Sequence, residues 1–203
     1  MNRLLFIPLL LVFCTGHTQS TFTYNNDHFV LPKMVFDAKG DLVITPSATS
    51  SNTDFDFFVG KWNLHNKKLR SRLVNCKDWD EFDFTVEDFS GLAGMGNFDV
   101  GRATFNGKAW EGRTIRIFNP QTRLWSLYWA ASDRGLLDPP VVGSFENNIG
   151  LFFGKDMYQG RPIIMVFKWD KTDPEKPVWS QAFSDDNGKT WEWNWYNIST
   201  RIK

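Results

Sequence analysis

Few residues in this chain combine into a recognisable reactive site. Three histidines and two cysteines occur in 203 residues, and only His65 and Cys76 follow residue 54. No serine lies in a nucleophile elbow, and the glycine-dense residues 91–101 lack the Lys-Ser/Thr pair of a phosphate loop. We expect His65 on the outer face of its strand and Cys76 as a small, inert side chain. The sequence predicts no metal site and no cofactor, and it favours a protein without catalysis.

Three polar side chains remain candidates for chemistry or ligand binding: Glu111, Arg116 and Asp138. Arg113 and Arg116 are three residues apart in one predicted strand, so they face opposite sides. One of them could enter a cavity and bind a carboxylate, although surface placement is the default for arginine. Asp138 precedes two prolines, which indicate a stiff loop at the rim of a fold or a plain connector. A carboxylate and an arginine sharing a cavity would favour an enzyme of isomerase, cyclase or esterase type.

The elements that position these residues are short strands and tight turns. From residue 54 onward, apolar residues alternate with polar ones and no helical period is sustained. Turn sequences such as Asn106-Gly107 and Asn187-Gly188 separate the runs, and Asn-Gly is typical of two-residue hairpins. Many short strands at near-regular spacing predict a barrel or a sandwich. The exception is residues 67–77, which could form a short helix or a loop after the first strand.

Aromatic residues are unusually abundant, at 16% of the chain, with 10 tryptophans. Trp125, Leu127 and Trp129 share one face of their predicted strand. In a later predicted strand, one face is shared by Ile163, Met165, Phe167 and Trp169. A spacing of two likewise predicts that Trp191, Trp193 and Trp195 share a face. The candidate ligand-binding residues are Trp62, Arg116, Trp129, Asp138, Phe167 and Trp193. This aromatic content fits either a hydrophobic pocket or a solid core, and only the pocket implies a ligand.

Composition and charge narrow the partners and the location. Lys and Arg total 23 and Asp and Glu total 23, so nothing recommends a nucleic-acid partner. Residues 1–20 contain Arg3 and an apolar run too short to span a bilayer, which is typical of a secretory signal peptide. We therefore predict a secreted or periplasmic protein with no membrane span after cleavage. Residues 21–53 are predicted as an extension and linker, and residues 54–203 as the folded domain.

One short motif carries a family resemblance. Gly60-Lys61-Trp62 opens the first strand of the domain, and Arg201 lies near the end of the last one. This pattern resembles the calycin superfamily of lipocalins and fatty-acid-binding proteins. The resemblance implies an all-β, antiparallel up-and-down barrel of about ten strands. In it, the glycine lets the chain bend, the tryptophan closes one end, and the arginine lies over its ring.

More of the chain resembles a bacterial family of calycin-like barrels known only as a domain of unknown function. The similar stretches are residues 57–70, 79–84, 112–129, 137–143 and 179–195. Together they span nearly all of the predicted domain. This resemblance implies a barrel and brings no established reaction, cofactor or catalytic residue.

A second motif lies in residues 184–191. Its members are Ser184, Asp186, Gly188, Thr190 and Trp191, in the pattern Ser-x-Asp-x-Gly-x-Thr-Trp. It resembles the Asp-box of sialidase-like propellers. A propeller needs several repeats, and no second copy occurs in the sequence. We interpret the motif as a hairpin turn in which the Asp186 carboxylate accepts backbone N–H groups and Gly188 adopts a positive φ.

The sequence as a whole predicts a secreted barrel that binds a small apolar or amphipathic molecule without catalysis. Two alternatives remain open at this stage. One is an enzyme of the same fold that uses Asp138, Arg116 or Glu111 at the rim, and the other is a structural barrel with a filled interior. The content of the barrel interior decides among them.

Overall fold

The computed structural model describes residues 24–26 and 28–203. The predicted signal peptide, residues 1–20, and the start of the extension lie outside these residues. The chain divides into two compact units at residue 30, and the unit from Leu31 to Lys203 contains every strand. No helix among the described residues has both the length and the apolar character needed to cross a membrane.

Ten antiparallel strands form a closed barrel in which sequence neighbours are paired and the first strand pairs with the last. The strands are β1 (Gly60–Leu69), β2 (Trp79–Gly91), β3 (Gly96–Phe105), β4 (Lys108–Asn119), β5 (Leu124–Ala131), β6 (Val141–Glu146), β7 (Ile149–Tyr158), β8 (Arg161–Asp170), β9 (Val178–Ser184) and β10 (Glu192–Arg201). This architecture confirms the predicted all-β, up-and-down barrel.

Strand alternation fixes which side chains face the barrel axis. Trp62 is fully buried and pairs with Val86 on β2 and Arg201 on β10. Because successive side chains point to opposite faces, Leu64 also points inward and His65 points outward. The same register carries around the barrel and places Arg116, Trp129 and Phe167 on the inner face.

A β-bulge in β10 breaks the predicted alignment of three indoles. Trp193 pairs with Ala182, whereas Trp195 pairs with Gln181, so one extra residue lies between them. That residue, Asn194, is fully buried and its amide oxygen accepts a hydrogen bond from Gln181 at 2.8 Å. The prediction that Trp191, Trp193 and Trp195 share a face is therefore wrong. The bulge turns Trp193 outward and Trp195 inward.

The connections differ in length at the two ends of the barrel. Asn106 and Gly107 have φ values of 50° and 75°, as a two-residue hairpin turn requires. One of the two nine-residue connections at that end joins β1 to β2 and runs over residues 70–78 without regular structure. The short helix considered for residues 67–77 does not form, because β1 continues to Leu69 and pairs with β2 at Trp79. The segment is a loop at the mouth of the barrel.

Aromatic side chains fill the opposite end, which we call the base. A single 3-10 turn, Asp56–Phe58, precedes β1 and inserts Phe55 and Phe58 into the barrel. The Trp62 ring stacks on Phe58 with centroids 5.2 Å apart, and its Nε1 donates a 2.6 Å hydrogen bond to the Phe58 carbonyl. The rings that complete the base are Phe118, Trp125, Phe145, Phe152 and Trp169.

The chain before β1 packs on the outside of the barrel. Residues 47–51 are hydrogen-bonded to it; for example, Arg123 Nη2 donates to the carbonyls of Ser47, Ala48 and Ser50. Further upstream, Phe36 and Leu42 form an isolated antiparallel bridge across a small hairpin. Apolar side chains of this region cover an outer patch of the barrel. Together with the barrel residues beneath them they form what we call the outer cluster. Its members are Leu31, Met34, Leu42, Ile44, Leu151, Phe153, Val166, Ala182, Trp191 and Trp193.

Candidate ligand-binding site

The half of the barrel away from the base is less completely buried than the base. Several of its inward-facing side chains are exposed in part, whereas Asn66, Ile163 and Phe183 on the same inner face are buried. A side chain that points to the axis of a closed barrel can be exposed only if solvent reaches the interior. We call this space the lumen. Its partly exposed inner residues are Lys68, Phe82, Phe84, Phe105, Trp110, Thr114, Trp129, Met165, Phe167 and Trp195.

The aromatic rings of the lumen form a continuous wall on one side. Phe82 contacts Trp195 and Phe105 with centroid distances of 6.3 and 5.7 Å. The chain of contacts continues from Phe105 to Trp110 at 5.7 Å and from Trp110 to Trp129 at 6.0 Å. Such a wall presents ring faces and edges over which a flat apolar molecule can stack.

Glycine makes room for two of these rings. A Cβ atom added to Gly112 would lie 2.4 Å from the Trp129 ring and 2.6 Å from the Trp110 ring. Gly112 is on the inner face of β4, paired with Ala131. The two indoles can therefore lie flat against the backbone, which widens the lumen at this position.

One cationic side chain of β1 reaches into the aromatic wall. The Lys68 ammonium lies 4.0 Å from the ring centroid of Trp195. Burial lowers the pKa of Lys68 to about 8, and the nearby charge of Arg72 adds to the effect. No carboxylate in the described part of the chain forms an ion pair with this ammonium group.

The β1–β2 loop brings a second cation to the mouth. Arg72 extends over β9 and β7, with its Cζ 5.7 Å from the Phe183 ring and 5.6 Å from the Tyr158 ring. Its Nε atom is buried without a hydrogen-bond partner. The loop is held in place because the Leu73 N–H donates to Glu192 at 2.7 Å.

A buried polar cluster forms the floor of the lumen above the base. The Arg116 guanidinium donates to Asp88 at 3.0 Å, to Asn97 at 2.6 Å and to Asp99 at 2.5 Å. Its Cζ lies 5.0 Å from the Phe55 ring, so the cation also rests on the aromatic base. All four polar residues are almost completely buried. Arg116 thus faces inward, contrary to the default expectation of a surface arginine.

The net charge of this floor is zero or negative, depending on whether Asp88 is protonated. Burial raises the pKa of Asp88 to about 7, and the charge of Asp99 raises it further, while Arg116 opposes the shift. One guanidinium is therefore shared by two carboxylates. It has no charge left over for an anionic ligand.

The residues of the calycin-like signature lie together at the base. Arg201 lies over Trp62, with its Cζ 4.0 Å from the ring centroid, and donates to the carbonyls of Phe57 and Val59 at 2.9 and 3.0 Å. Gly60 has a φ of 127° and lies close to the Arg201 guanidinium. Trp62 is completely buried beneath this cap, so the structure places it in the solid base and outside the lumen.

The other predicted site residues are divided between the lumen, the rim and the outer surface. Trp129 and Phe167 line the lumen. Asp138 lies in the β5–β6 loop, where its carboxylate pairs with Arg134 and its backbone N–H donates to the Trp129 carbonyl. Trp193 packs in the outer cluster because of the bulge.

The Asp-box hairpin joins β9 to β10. The Asp186 carboxylate accepts N–H groups from Lys189 and Thr190 at 3.0 and 2.9 Å, and these bonds lower the pKa of Asp186 to about 2. Ser184 Oγ accepts the Gly188 N–H at 2.8 Å, and Trp191 Nε1 donates to the Gly188 carbonyl at 3.2 Å. The motif is self-contained, and each of its polar groups is used within the turn.

The side chains considered for catalysis do not converge. Glu111 lies on the outer face of β4 and pairs with Arg113 at 2.8 Å, whereas Arg116 lies on the inner face of the same strand. His65 lies on the outer face, paired with Asp83 at 2.7 Å and Glu81 at 3.3 Å. Among residues 24–26 and 28–203, no group of three or more His, Cys, Asp or Glu side chains could hold a metal ion.

Two concave regions lie outside the lumen. One, of about 460 Å³, runs beside the β7–β8 hairpin and is lined by residues such as Met157, Ile164 and Asn187. The other, of about 640 Å³, lies on the outer face of β1 and β2 around His65 and Asp83. Neither brings together the predicted site residues.

Sequence reasoning missed Lys68 and the buried carboxylates, although a signal was present. Trp62, Leu64, Asn66 and Lys68 are spaced by two, so an inward Trp62 places Lys68 inward as well. That inference required knowing that β1 continues as far as Leu69. The structure supplies this strand length.

Comparison with known proteins identifies the fold and no family. No protein-family model matches the chain, and no curated protein matches it. A solved structure of an S-type phycobiliprotein lyase, CPES, from Guillardia theta is similar with a TM-score of 0.52 and 11% sequence identity. The match covers 77% of this chain and 94% of the lyase. The chain has a calycin-like barrel fold.

Proposed function

We propose that this protein binds a small apolar or amphipathic molecule in the lumen of its barrel. The observation that carries this proposal is the partial exposure of Phe84, Trp129 and Phe167, which point toward the axis of a closed wall. A barrel that served only as a structural unit would bury these rings, as the base buries Phe55 and Phe152. Leaving large aromatic surfaces in contact with water costs free energy, which a ligand would recover.

The phycobiliprotein lyase has a similar barrel, so a barrel of this kind is compatible with a protein that acts on other molecules. We assign no bilin specificity to this chain.

We further propose that the protein is exported through residues 1–20, because their cation and short apolar run are typical of a signal peptide. Expression in a bacterial host followed by N-terminal sequencing of the mature protein tests export. An intact Met1 on the purified protein would contradict it.

A fluorescent probe tests the lumen directly. N-phenyl-1-naphthylamine is a neutral molecule with a naphthalene and a phenyl ring, and its fluorescence emission rises in apolar surroundings. We expect it to bind the wild-type protein at a single site with a micromolar dissociation constant. Thr114→Trp should weaken this binding at least tenfold, because Thr114 is partly exposed on the inner face of β4 and an indole there would fill the lumen.

Arg113→Trp is the matched control, because Arg113 is the exposed neighbour on the outer face of the same strand. It adds an equal side chain without entering the lumen, so probe binding should stay as in the wild type. Thermal melting of both variants establishes that each is folded. Absence of probe binding to the wild type, or an equal loss in both folded variants, would overturn the proposal.

A further inference from the structure

The charges of the lumen are distributed unequally between its mouth and its floor. At the mouth, the Lys68 ammonium contacts the Trp195 ring, and none of the carboxylates described forms an ion pair with it. At the floor, the Arg116 guanidinium is shared between the carboxylates of Asp88 and Asp99. The lumen therefore has an unneutralised cation at its mouth and a neutralised one at its base.

The acidic groups around Lys68 are committed to other partners. Asp80 accepts a 2.7 Å hydrogen bond from Arg70, and Asp133 accepts a 3.2 Å hydrogen bond from Trp110 Nε1. Glu192 is bound to the Leu73 N–H. Asp80 and Asp133 attract Lys68 only at longer range.

Two further cations add to the positive potential at this position. Besides burial, the charge of Arg72 lowers the pKa of Lys68, and Arg134, which is paired with Asp138, adds a smaller effect in the same direction. Arg72 lies at the mouth, over the inward-facing rings of Phe183 and Tyr158. Arg72 also retains a buried Nε without a hydrogen-bond partner. An anion placed beside Lys68 and Arg72 would relieve this repulsion and gain charge-assisted hydrogen bonds.

We propose that the ligand is an amphipathic anion that binds with its acidic group at the mouth, against Lys68 and Arg72, and its apolar body toward the floor. This inference rests on the proposed function and specifies the ligand class and its orientation. A carboxylate or sulfonate carried by an aromatic or aliphatic body has the required chemistry. The opposite orientation is disfavoured, because it would place the anion beside Asp88 and Asp99 in a desolvated site.

A pair of probes separates the charge from the apolar body. 1-Anilinonaphthalene-8-sulfonate has the same ring system as N-phenyl-1-naphthylamine and adds one sulfonate. We expect Lys68→Met to weaken binding of the sulfonate probe about tenfold, a typical effect of losing one charge-assisted contact. Binding of the neutral probe should change less than twofold, because methionine preserves the apolar length of the side chain. Lys68→Arg should restore most of the affinity for the sulfonate probe.

Lys67→Met is the matched control. Lys67 is the adjacent residue on the outer face of β1, and its ammonium pairs with Glu81 at 2.6 Å. Removing that charge should leave the affinity for both probes unchanged. A loss of sulfonate binding equal to that of Lys68→Met would mean that overall charge, and not the mouth of the lumen, governs binding, and would overturn the inference.

A measurement on the wild-type protein keeps the test independent of variant folding. Reductive ¹³C-methylation of the lysines allows the pKa of Lys68 to be followed by NMR. Adding the sulfonate probe should raise the pKa of Lys68, and adding the neutral probe should not. An unchanged pKa with the sulfonate probe bound would overturn the inference.

The outcomes of the two proposals are distinguishable. Failure of the neutral probe to bind the wild type would remove the lumen as a binding site and the proposed function with it. Binding of both probes with no dependence on Lys68 would leave the proposed function intact and remove the anionic ligand class. Equal weakening of both probes by Lys68→Met would show that Lys68 supports the lumen only through packing.

Discussion

The base and the lumen are two ends of one barrel of alternating strands, yet their inner side chains are buried to different degrees. In the base, Phe55, Phe145 and Phe152 are each no more than 1% exposed. In the lumen, Trp129 and Phe167 face inward but remain partly exposed. Nine of the ten strands run through both regions, whereas β6 pairs with β5 only at Trp125–Leu127, beside the base. The base also receives an additional segment of chain.

That additional chain is the 3-10 turn before β1. It inserts Phe55 and Phe58, whose rings contact Trp125, Phe145 and Trp169 at centroid distances of 4.9 to 5.9 Å. No equivalent segment of the described chain enters the other end, where the β1–β2 loop lies across the mouth through Arg72 and Leu73. Phe55 and Phe58 therefore complete the core at the base, and the opposite end receives no such rings from the described chain.

The largest expected effect separates the two regions by stability. Phe145→Ala in the base should lower the free energy of unfolding by about 3–5 kcal/mol, because it leaves a cavity in a tightly packed cluster. Phe167→Ala in the lumen should cost about 1–2 kcal/mol, since part of its ring is already exposed and its main contact is with Trp179 at 4.9 Å. Urea denaturation monitored by tryptophan fluorescence measures both.

Equal losses in these two variants would contradict the division into a solid base and an open lumen. The same pair can be examined with the neutral probe. Phe167→Ala should change probe affinity, whereas a folded Phe145→Ala variant should not. The position with the larger loss of stability is thus expected to leave probe affinity unchanged, and the position with the smaller loss to alter it, which a uniform core would not produce.

The base was more predictable from sequence than the lumen, for a physical reason. Gly60-x-Trp62 and Arg201, at the two ends of the domain, form a recognisable signature with one expected geometry, and the structure places the guanidinium over the indole. The lumen depends instead on strand parity over long distances. Ile115 and Ile117 on one face of β4 oppose Phe118 on the other, so apolar residues alone cannot tell which face contains Arg116.

The bulge in β10 shows a second limit. A single extra residue reverses the faces of all residues beyond it, and Asn194 gives no sign in the sequence that it is that residue. Ten alternating strands could be predicted, but their register at this point could not. Trp193 therefore had to be reassigned from the lumen to the outer cluster once the pairing was known.

The floor between the two regions should give the protein a distinctive dependence on pH. The pKa of Asp88 is raised to about 7 by burial, so this carboxyl group binds a proton more tightly in the folded state than in the unfolded state. Its contribution to stability is therefore greatest below about pH 4 and is lost as pH rises to about 7. We expect this loss to amount to about 1–3 kcal/mol in the wild type and to be absent in Asp88→Asn.

Urea denaturation at several pH values from 4 to 8 measures this effect as the difference between wild type and variant. Glu87→Gln is the matched control, because Glu87 is the exposed neighbour on the outer face of β2, paired with Lys61 at 3.7 Å. Its difference from the wild type should not vary over the same range. A difference for Asp88→Asn that stays constant with pH would mean that Arg116 keeps both floor carboxylates ionised, and that the floor is more negative than we infer.

The smallest expected effect concerns the Asp-box hairpin, and its pH dependence has the opposite sign. Hydrogen bonds from Thr190 and neighbouring groups lower the pKa of Asp186 to about 2, so its stabilising contribution is complete above about pH 4 and is lost as pH falls toward 2. Because the carboxylate is near the surface, we expect Asp186→Asn to cost less than about 1 kcal/mol at pH 7. The cost should shrink further below pH 4. Thermal melting at pH 7 and pH 3 measures both, and a cost that grows on acidification would show that the turn does not depend on the ionised form of Asp186.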